Sequence, residues 1–330
     1  MKLYPKVVLG FLLCLGTFSS CHHASSTIEP CVQAPPLAKE VDRERRLCVP
    51  APTAFDTSPF ASLSPEEAAS DWGKELYIAL VFADDFDLYR AITGFKRALI
   101  LLPPEEKTRE LEITYDTALA YYLGKKYLEA IYTVESSPLF CVDTSFPAYF
   151  DLLLILYDSY HAMGQEEKAL QVLARIESIS PSIAADLSLL ASLQRGDVEV
   201  LVEEANNPSR SYCEGIYDRY CCETKSVRMA ETLNLLLPGS GYWYVGQRQT
   251  AVTAFLVNAL FIGATVYFFE NGNVPAGAIT ASLESGWYLG GMYGAGLAAK
   301  MHNERLYECY AGKIATRERL FPLFMLKYTF

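Results

Sequence analysis

Two long apolar stretches late in the sequence dominate its pattern of hydrophobic and polar positions. Residues 251–269 contain no charged side chain, and residues 276–299 contain only one, Glu284. A helix of about 20 apolar residues, rising 1.5 Å per residue, matches a hydrocarbon core roughly 30 Å thick. Residues 270–275 are rich in Asn, Gly and Pro, which predicts a turn. The pattern therefore predicts a two-helix membrane hairpin, which we place within residues 233–305.

Residues 64–207 have a pattern that predicts helices outside the membrane. Ser64 followed by Pro65 and two acidic residues is typical of a helix start. Ala91, Ala130 and Ala169 recur 39 residues apart, and a fixed period of this size predicts a helical repeat array. A small side chain at these positions lets neighbouring helices approach closely. The predicted fold is all-α, with an α-solenoid followed by the hydrophobic hairpin; an irregular helical bundle is the alternative.

These residues resemble the tetratricopeptide family. In that family a Gly closes the first helix of a unit, a small Ala lies on the second helix and a Pro ends the unit. Gly164, Ala169 and Pro181 fit this pattern best, whereas the second unit has one extra residue between Gly124 and Ala130. The resemblance implies a concave face that binds an extended peptide or a partner helix. Four aromatic residues are candidates to line it: Tyr121, Tyr122, Tyr157 and Tyr160.

The second hairpin helix carries a ridge of small residues at four-residue spacing. The ridge consists of Ala278, Ser282, Gly286, Gly290, Gly294 and Ala298. Membrane helices associate through close backbone packing, which small side chains permit. We expect the ridge to pack against the first hairpin helix; another membrane protein or a second copy is the alternative.

Glu284 and Asn258 form a predicted polar pair within the hairpin. Folding the hairpin at its turn brings them within about one helical turn in depth. A carboxylate in hydrocarbon is costly unless it is neutral, paired or facing water. We expect neutral Glu284 to bond to Asn258, a bond that contributes about 0.6 kcal/mol and at most near 2 kcal/mol. The alternative is an acid that handles protons or substrate.

A Gly-rich segment precedes the hairpin. Pro238, Gly239, Gly241, Tyr244 and Gly246 resemble uncharacterised bacterial families with a Pro-Gly-x-Gly-x-x-Tyr-x-Gly pattern before a short two-helix membrane hairpin. The resemblance implies a membrane architecture and no known activity. The segment lacks the Gly-Lys-Ser/Thr ending of a phosphate-binding loop, which argues against nucleotide binding.

The N-terminus predicts export. Lys2 and Lys6 precede the short apolar core of residues 7–15, a pattern typical of a signal peptide over residues 1–20. The run from Phe18 to Cys21 resembles a bacterial lipobox, which implies cleavage before Cys21 and acylation of its sulfur with chains such as palmitate. An ordinary secretory signal with an incidental Cys21 is the alternative. The implied location is the bacterial cell envelope, in either the inner or the outer membrane.

If the N-terminus is exported and the hairpin crosses the membrane twice, both flanks of the hairpin lie outside the cytoplasm. Arg248, Lys300 and Arg305 would then lie outside, although cytoplasmic flanks normally carry the positive charges. Three alternatives would remove this conflict. The hairpin dips into only one leaflet, it is buried against other proteins, or the N-terminus is not an export signal.

The remaining segments are a Pro-rich tether over residues 21–63, a Cys/Tyr-rich connector over residues 208–232 and a tail over residues 306–330. In the tail, apolar residues alternate at Phe324, Leu326, Tyr328 and Phe330. This alternation resembles the last strand of outer-membrane barrels, but no other barrel strands are evident.

Charge and motif content narrow the function classes. The net charge of −11 argues against a nucleic-acid partner. No metal-ligand spacing, cofactor motif or catalytic motif is present, so we expect no metal, no cofactor and no enzymatic activity. Three functions remain as hypotheses: an envelope scaffold that binds protein partners near membrane lipid, an accessory factor for membrane-protein assembly or transport that acts through the hairpin, and an unrecognised envelope enzyme.

Overall fold

The computed structural model describes residues 27–33, 58–205, 216–328 and 330. The predicted signal peptide, Cys21 and most of the predicted tether lie outside these residues. The described chain divides into two compact units. A repeat unit comprises Gln33–Ser192 and Ile314–Phe330, and a hairpin unit comprises Leu193–Lys313 with the described residues up to Val32. Part of the predicted tail therefore packs with the repeat helices.

The repeat unit is a series of antiparallel helices. They are α1 (Pro65–Ala69), α2 (Asp71–Asp84), α3 (Leu88–Leu101), α4 (Lys107–Leu123), α5 (Tyr127–Glu135), α6 (Tyr149–Ala162), α7 (Glu166–Ile179) and α8 (Pro181–Gln194). From α2 to α7 each helix packs on the next one in the chain, and α4 also packs on α6. This order of contacts is that of a helical-repeat array, which confirms the all-α solenoid prediction.

The repeat period is visible in the small buried residues. Ala91 and Ala130 are fully buried and Ala169 is nearly so. On α3 the contact is closest at Gly94, where an added Cβ would lie 2.8 Å from the Cβ of Ala79. Larger side chains would separate the helices, so the 39-residue alanine period reflects the packing distance.

The first helix of each pair ends in the same turn. One residue in each turn has a positive φ; these residues are Phe86, Lys125 and Gly164. The following N–H donates to the carbonyl five residues earlier, in Asp87 to Phe82, Lys126 to Tyr121 and Gln165 to Tyr160. This is the hydrogen bond of a Schellman helix end. In the second pair the left-handed position falls on Lys125 rather than on the predicted Gly124, whose φ is −76°.

Lys125→Gly is expected to raise the free energy of unfolding by about 0.5–1 kcal/mol, because Gly adopts a left-handed backbone without a Cβ clash. Lys125 is exposed, so little packing is lost. Chemical denaturation measures the change. Lys126→Gly is the matched control, because Lys126 has a φ of −95° and should gain nothing. Equal effects of the two changes would contradict the argument.

The hairpin unit contains six helices among the described residues. They are α9 (Val198–Ala205), α10 (Ile216–Glu223), α11 (Val227–Leu236), α12 (Ser240–Val245), α13 (Arg248–Glu270) and α14 (Val274–Arg317), whose last residues belong to the repeat unit. Its core includes Ala230 of α11 and Ala295 and Ala299 of α14. Small side chains at this crossing allow the helix backbones to approach closely.

Among the described helices, α13 is the one that is long and apolar enough to cross a membrane. Only three of its residues, Ala251, Asn258 and Thr265, are buried, so most of the helix surface is open. Leu256, Leu260 and Tyr267 are among its exposed side chains, and α14 exposes Leu283 and Trp287. Two adjoining helices thus present a large apolar surface, which in a folded protein marks contact with lipid or with protein.

Part of the predicted tether is ordered along α14. The N–H groups of Glu29 and Cys31 donate to the carboxylates of Glu304 and Glu308 at 3.1 and 2.8 Å. Two residues of extended chain cover about 6.6 Å, and four residues of helix cover about 6.0 Å. The two spacings match, so an extended segment can bind one face of a helix through its backbone. This part of the predicted tether thus lies along α14.

Candidate functional site

The surface shared by α4 and α6 is where the resemblance places a binding groove. Both helices are buried on nearly every side: all residues of α4 between Glu112 and Tyr122 are buried, and so are residues 151–157 of α6. An exposed concave face would leave one stripe of each helix open to solvent. Instead, two segments of the same chain, residues 58–63 and 320–330, cover the face.

The chain passes over this face through a short 3₁₀ turn at Pro322–Phe324, and the described residues after the turn are not helical. The backbone N–H groups of Lys327 and Tyr328 both donate to Oδ2 of Asp151, at 2.9 and 3.0 Å. Leu326 is buried in the core that α4 and α6 share. The ring of Phe330 stacks on Phe95 with centroids 6.1 Å apart. The segment is thus recognised through both its backbone and alternate side chains.

Residues 58–63 are held by an aromatic cluster and by Arg109. The ring of Phe60 packs on those of Tyr115 and Phe146 at 5.7 and 5.6 Å. The Arg109 guanidinium donates to the carbonyls of Ala61 and Ser62 at 2.7 and 3.2 Å. A buried cation therefore connects the entering chain to α4.

Arg109 also makes the best-paired ionic cluster of the repeat unit. It binds both carboxylate oxygens of Glu67, at 2.8 and 3.1 Å, and one oxygen of Glu112 at 2.6 Å. The Arg109 side chain is 9% exposed and that of Glu112 is 7% exposed. The bond from Arg109 lowers the pKa of Glu67 to about 2, whereas burial raises the pKa of Glu112.

Several polar atoms on α4 and α6 are buried without a hydrogen-bond partner in the described part of the chain. They are the Tyr115 hydroxyl, Oδ1 of Asp116, Oδ1 of Asp151 and Oγ of Ser159. Burial raises the pKa of Asp116 and of Tyr115 well above the usual values, and the nearby Asp151 charge adds to the shift at Tyr115. Buried polar groups are normally paired. The two covering segments therefore satisfy this face incompletely.

The four aromatic residues predicted to line a groove are all buried. Tyr122 donates to Asp158 at 2.7 Å and Tyr160 to Glu135 at 2.8 Å, so these two tie neighbouring helices together. Tyr121 lines an open cavity and accepts a hydrogen bond from Lys96 at 2.7 Å. Only Tyr121 thus takes part in an open surface.

Two open cavities lie at equivalent places in successive repeats. The larger, of about 880 Å³, has α4 as its floor and α3 and α5 as its walls. The smaller, of about 580 Å³, has α6 as its floor and α7 as one wall. Leu128 and Tyr132 line the larger cavity and are 56% and 71% exposed. These exposed apolar groups beside charged Lys96 and Glu110 have the character of an interaction surface.

In the hairpin unit, the predicted Gly-rich segment forms the turns around α12. Gly239 and Gly246 have φ values of 89° and 91°, which Gly adopts without steric cost. A side chain on Gly241 would collide with a backbone carbonyl of α11. The Tyr244 hydroxyl accepts the N–H of Ser226 at 3.1 Å. Pro238, which begins the pattern, lies in the turn between α11 and α12. Backbone geometry thus explains the glycines of this pattern.

The small-residue ridge does not pack along α13 as expected. Its first four members, Ala278, Ser282, Gly286 and Gly290, are exposed. Gly294 faces Tyr242 of α12, and Ala298 belongs to the core with α11. A four-residue step turns about 400° around a helix, so the ridge drifts by about 40° per step. It therefore begins on the open face of α14 and ends on the buried face.

The contact of α13 with the rest of its unit follows seven-residue spacing instead, through buried Ala251, Asn258 and Thr265. Thr265 donates to Thr280 of α14 at 3.0 Å. This pair fixes the antiparallel register and places Asn258 about 4.5 Å in depth from Glu284, within the predicted helical turn.

The predicted hydrogen bond between Asn258 and Glu284 is absent. Glu284 is 1% exposed, and among the described residues both of its carboxyl oxygens lack a partner, as does Oδ1 of Asn258. The Asn258 amide nitrogen donates instead to the carbonyl of Ala254 at 2.6 Å.

Glu284→Gln is expected to be tolerated and to strengthen the hairpin, because the new amide supplies the missing donor for Oδ1 of Asn258. The expected gain is about 0.6 kcal/mol and at most near 2 kcal/mol, measured by thermal unfolding in detergent. Glu284→Leu is the control, since it fills the site without a donor. A Gln variant that accumulates normally but loses function would show that the acid itself is required.

Comparison with known proteins indicates no function for these surfaces. No family model matches this chain, and no curated protein and no solved structure is significantly similar to it.

Proposed function

We propose that the chain is a non-enzymatic, membrane-anchored scaffold of the bacterial cell envelope that binds protein partners through its helical repeats. The observation that carries the proposal is the combination, in one chain, of a helical-repeat unit with open apolar cavities and the exposed apolar helix α13. Helical repeats are commonly used as binding surfaces, and an exposed apolar helix of this length suits a bilayer.

Two anchors act together in this proposal. The lipobox-like run before Cys21 would place acyl chains at the mature N-terminus, and α13 would insert its open face into lipid. Each buried methylene of an acyl chain contributes about 0.8 kcal/mol, and stable attachment usually needs two signals. The tetratricopeptide-like repeats would then be held at the membrane surface.

The proposed partner site is the larger cavity, because the α4/α6 face is occupied by the chain's own residues. Leu99 and Leu102 of α3 and Leu128 and Tyr132 of α5 line it. We infer an apolar helix or loop of another envelope protein as the occupant. An aromatic side chain at the rim of an apolar cavity is a typical binding hot spot, so Tyr132 should dominate the affinity.

Crosslinking in intact cells, followed by membrane fractionation and capture of the full chain, tests this proposal. Tyr132→Asp should reduce the recovery of one defined crosslinked partner at least tenfold without changing the membrane fraction. Tyr89→Asp is the matched control, because Tyr89 is 79% exposed and does not line the cavity.

Equal recovery with both variants would contradict the scaffold proposal. Loss of the partner only on replacing exposed α14 residues such as Trp287 would instead favour the accessory factor that acts through the hairpin.

A further inference from the structure

We propose that the α4/α6 face is a second binding site, for an extended protein segment, and that residues 320–330 occupy it as an exchangeable internal ligand. The incoming segment would share the pattern of these residues, an apolar residue, a basic residue and then alternate aromatic residues. This site shares only α4 with the larger cavity, so the proposal does not depend on the cavity.

The contacts of residues 320–330 have the character of ligand recognition. One carboxylate oxygen of Asp151 accepts two successive backbone N–H groups, a charge-assisted contact that fixes the path of the chain without reading its side chains. Buried Leu326 and the stacked ring of Phe330 supply apolar anchors. Backbone hydrogen bonds with pockets for alternate side chains are a recurrent mode of peptide recognition.

The basic position of the pattern also has a place on this face. Nζ of Lys327 lies 5.5 Å from the ring centroid of Phe150, and the Lys327 side chain is exposed. Asp151, the carboxylate that holds the segment, is buried. Its charge favours backbone N–H groups and a basic side chain over an acidic segment.

Two polar atoms beside the segment favour an exchangeable ligand over a permanent part of the core. Oδ1 of Asp151 is buried without a partner among the described residues, although Oδ2 of the same carboxylate accepts two bonds. The nearby Tyr115 hydroxyl also lacks a partner. A buried polar group without a hydrogen bond costs about 1–3 kcal/mol. A segment that supplied donors to these atoms would therefore bind better than residues 320–330 do.

The first experiment measures binding of a fluorescein-labelled peptide of residues 320–330 to the purified full chain in detergent. Leu326→Asp in the protein should expel the internal segment, and the variant should bind the peptide at least tenfold more tightly than the unchanged chain. Phe330→Ala, a milder change, should give a smaller increase. Adding Asp151→Ala to Leu326→Asp should abolish this gain, whereas adding Asp143→Ala should not, because Asp143 is exposed and bonds only near its own turn.

Hydrogen exchange of the full chain keeps the proposal testable if the Leu326 variant fails to fold. The amides of Lys327 and Tyr328 should exchange through a local opening, with a rate nearly independent of low denaturant concentration, and faster than the α6 amides. The unlabelled peptide should accelerate their exchange.

Exchange of these amides only together with α6, at the rate of global unfolding, would overturn the proposal and make the segment a fixed part of the core. So would equal peptide binding by the unchanged chain and the Leu326 and Phe330 variants. Release of the segment accompanied only by dimer formation, measured by light scattering, would also overturn it, because the occupant would then be a second copy.

Discussion

Arg109→Met is expected to lower the free energy of unfolding of the repeat unit by about 3–5 kcal/mol, the cost of leaving one member of a buried ion pair without its partner. Met keeps most of the side-chain volume, so the change removes charge and hydrogen bonds more than packing. The variant leaves Glu112 buried without a cation, and the carbonyls of Ala61 and Ser62 without their donor. Chemical denaturation of the full chain in detergent measures the loss.

The pH dependence identifies the cause of this loss. The pKa of Glu67 is lowered from 4.5 to about 2 by the bond from Arg109, so its contribution is fully present above pH 4.5 and is lost as the pH falls toward 2. Burial raises the pKa of Glu112, and without Arg109 it should rise further. Protonating both carboxylates therefore removes most of the difference, and the destabilisation should be largest above pH 5 and smallest near pH 2.

Arg97→Met is the matched control for this prediction. Arg97 pairs with Glu75 at 2.6 Å, but its side chain is 63% exposed. Exposed pairs of this kind contribute about 0–1 kcal/mol. A loss at Arg109 no larger than that at Arg97, or a loss that is the same at pH 3 and pH 7, would contradict the role assigned to the buried cluster.

The repeat architecture was predictable because its causes are local and periodic. Ala91, Ala130 and Ala169 mark the closest helix contacts, and their spacing is visible in the sequence alone. The turn positions were less predictable. Lys125 rather than Gly124 takes the left-handed conformation. The helix end keeps the 39-residue period, five residues before the repeat alanine, and Gly124 lies one residue too early to occupy it.

The occupied α4/α6 face was not predictable, because it depends on contacts between distant parts of the chain. Asp151 binds backbone groups 176 and 177 residues away, and a backbone contact leaves no trace in side-chain patterns. The alternation of Phe324, Leu326, Tyr328 and Phe330 was the one available signal. It did not indicate where these residues bind, and Phe324, the first of them, lies in a 3₁₀ turn.

The helix packing within the hairpin was not predictable for a different reason. Its turn and its apolar character follow from composition, whereas the packed face depends on rotation around each helix. Four-residue spacing drifts, so the ridge from Ala278 to Ala298 changes faces along α14, and the seven-residue series Ala251, Asn258 and Thr265 forms the contact of α13 instead.

Leu260→Arg is expected to reduce membrane insertion of α13 more than fiftyfold. Leu260 lies near the middle of α13 and is 70% exposed. An Arg at the centre of a membrane helix costs about 2.5–3.5 kcal/mol, and the lost Leu contributed a further 0.3–0.6 kcal/mol. The measurement is the fraction of the full chain that resists alkaline extraction from membranes, made with Cys21→Ser so that no acyl chain contributes.

Gln249→Arg is the matched control, because it adds the same charge at the end of α13 rather than at its centre. Gln249 is exposed in the first turn of α13, where an added Arg reaches the interface and should leave extraction unchanged. Equal resistance of the Leu260 and Gln249 variants would mean that the open face of α13 does not lie in hydrocarbon. That face would then require a protein partner to cover it, since two helices with this much exposed apolar surface do not remain uncovered in water.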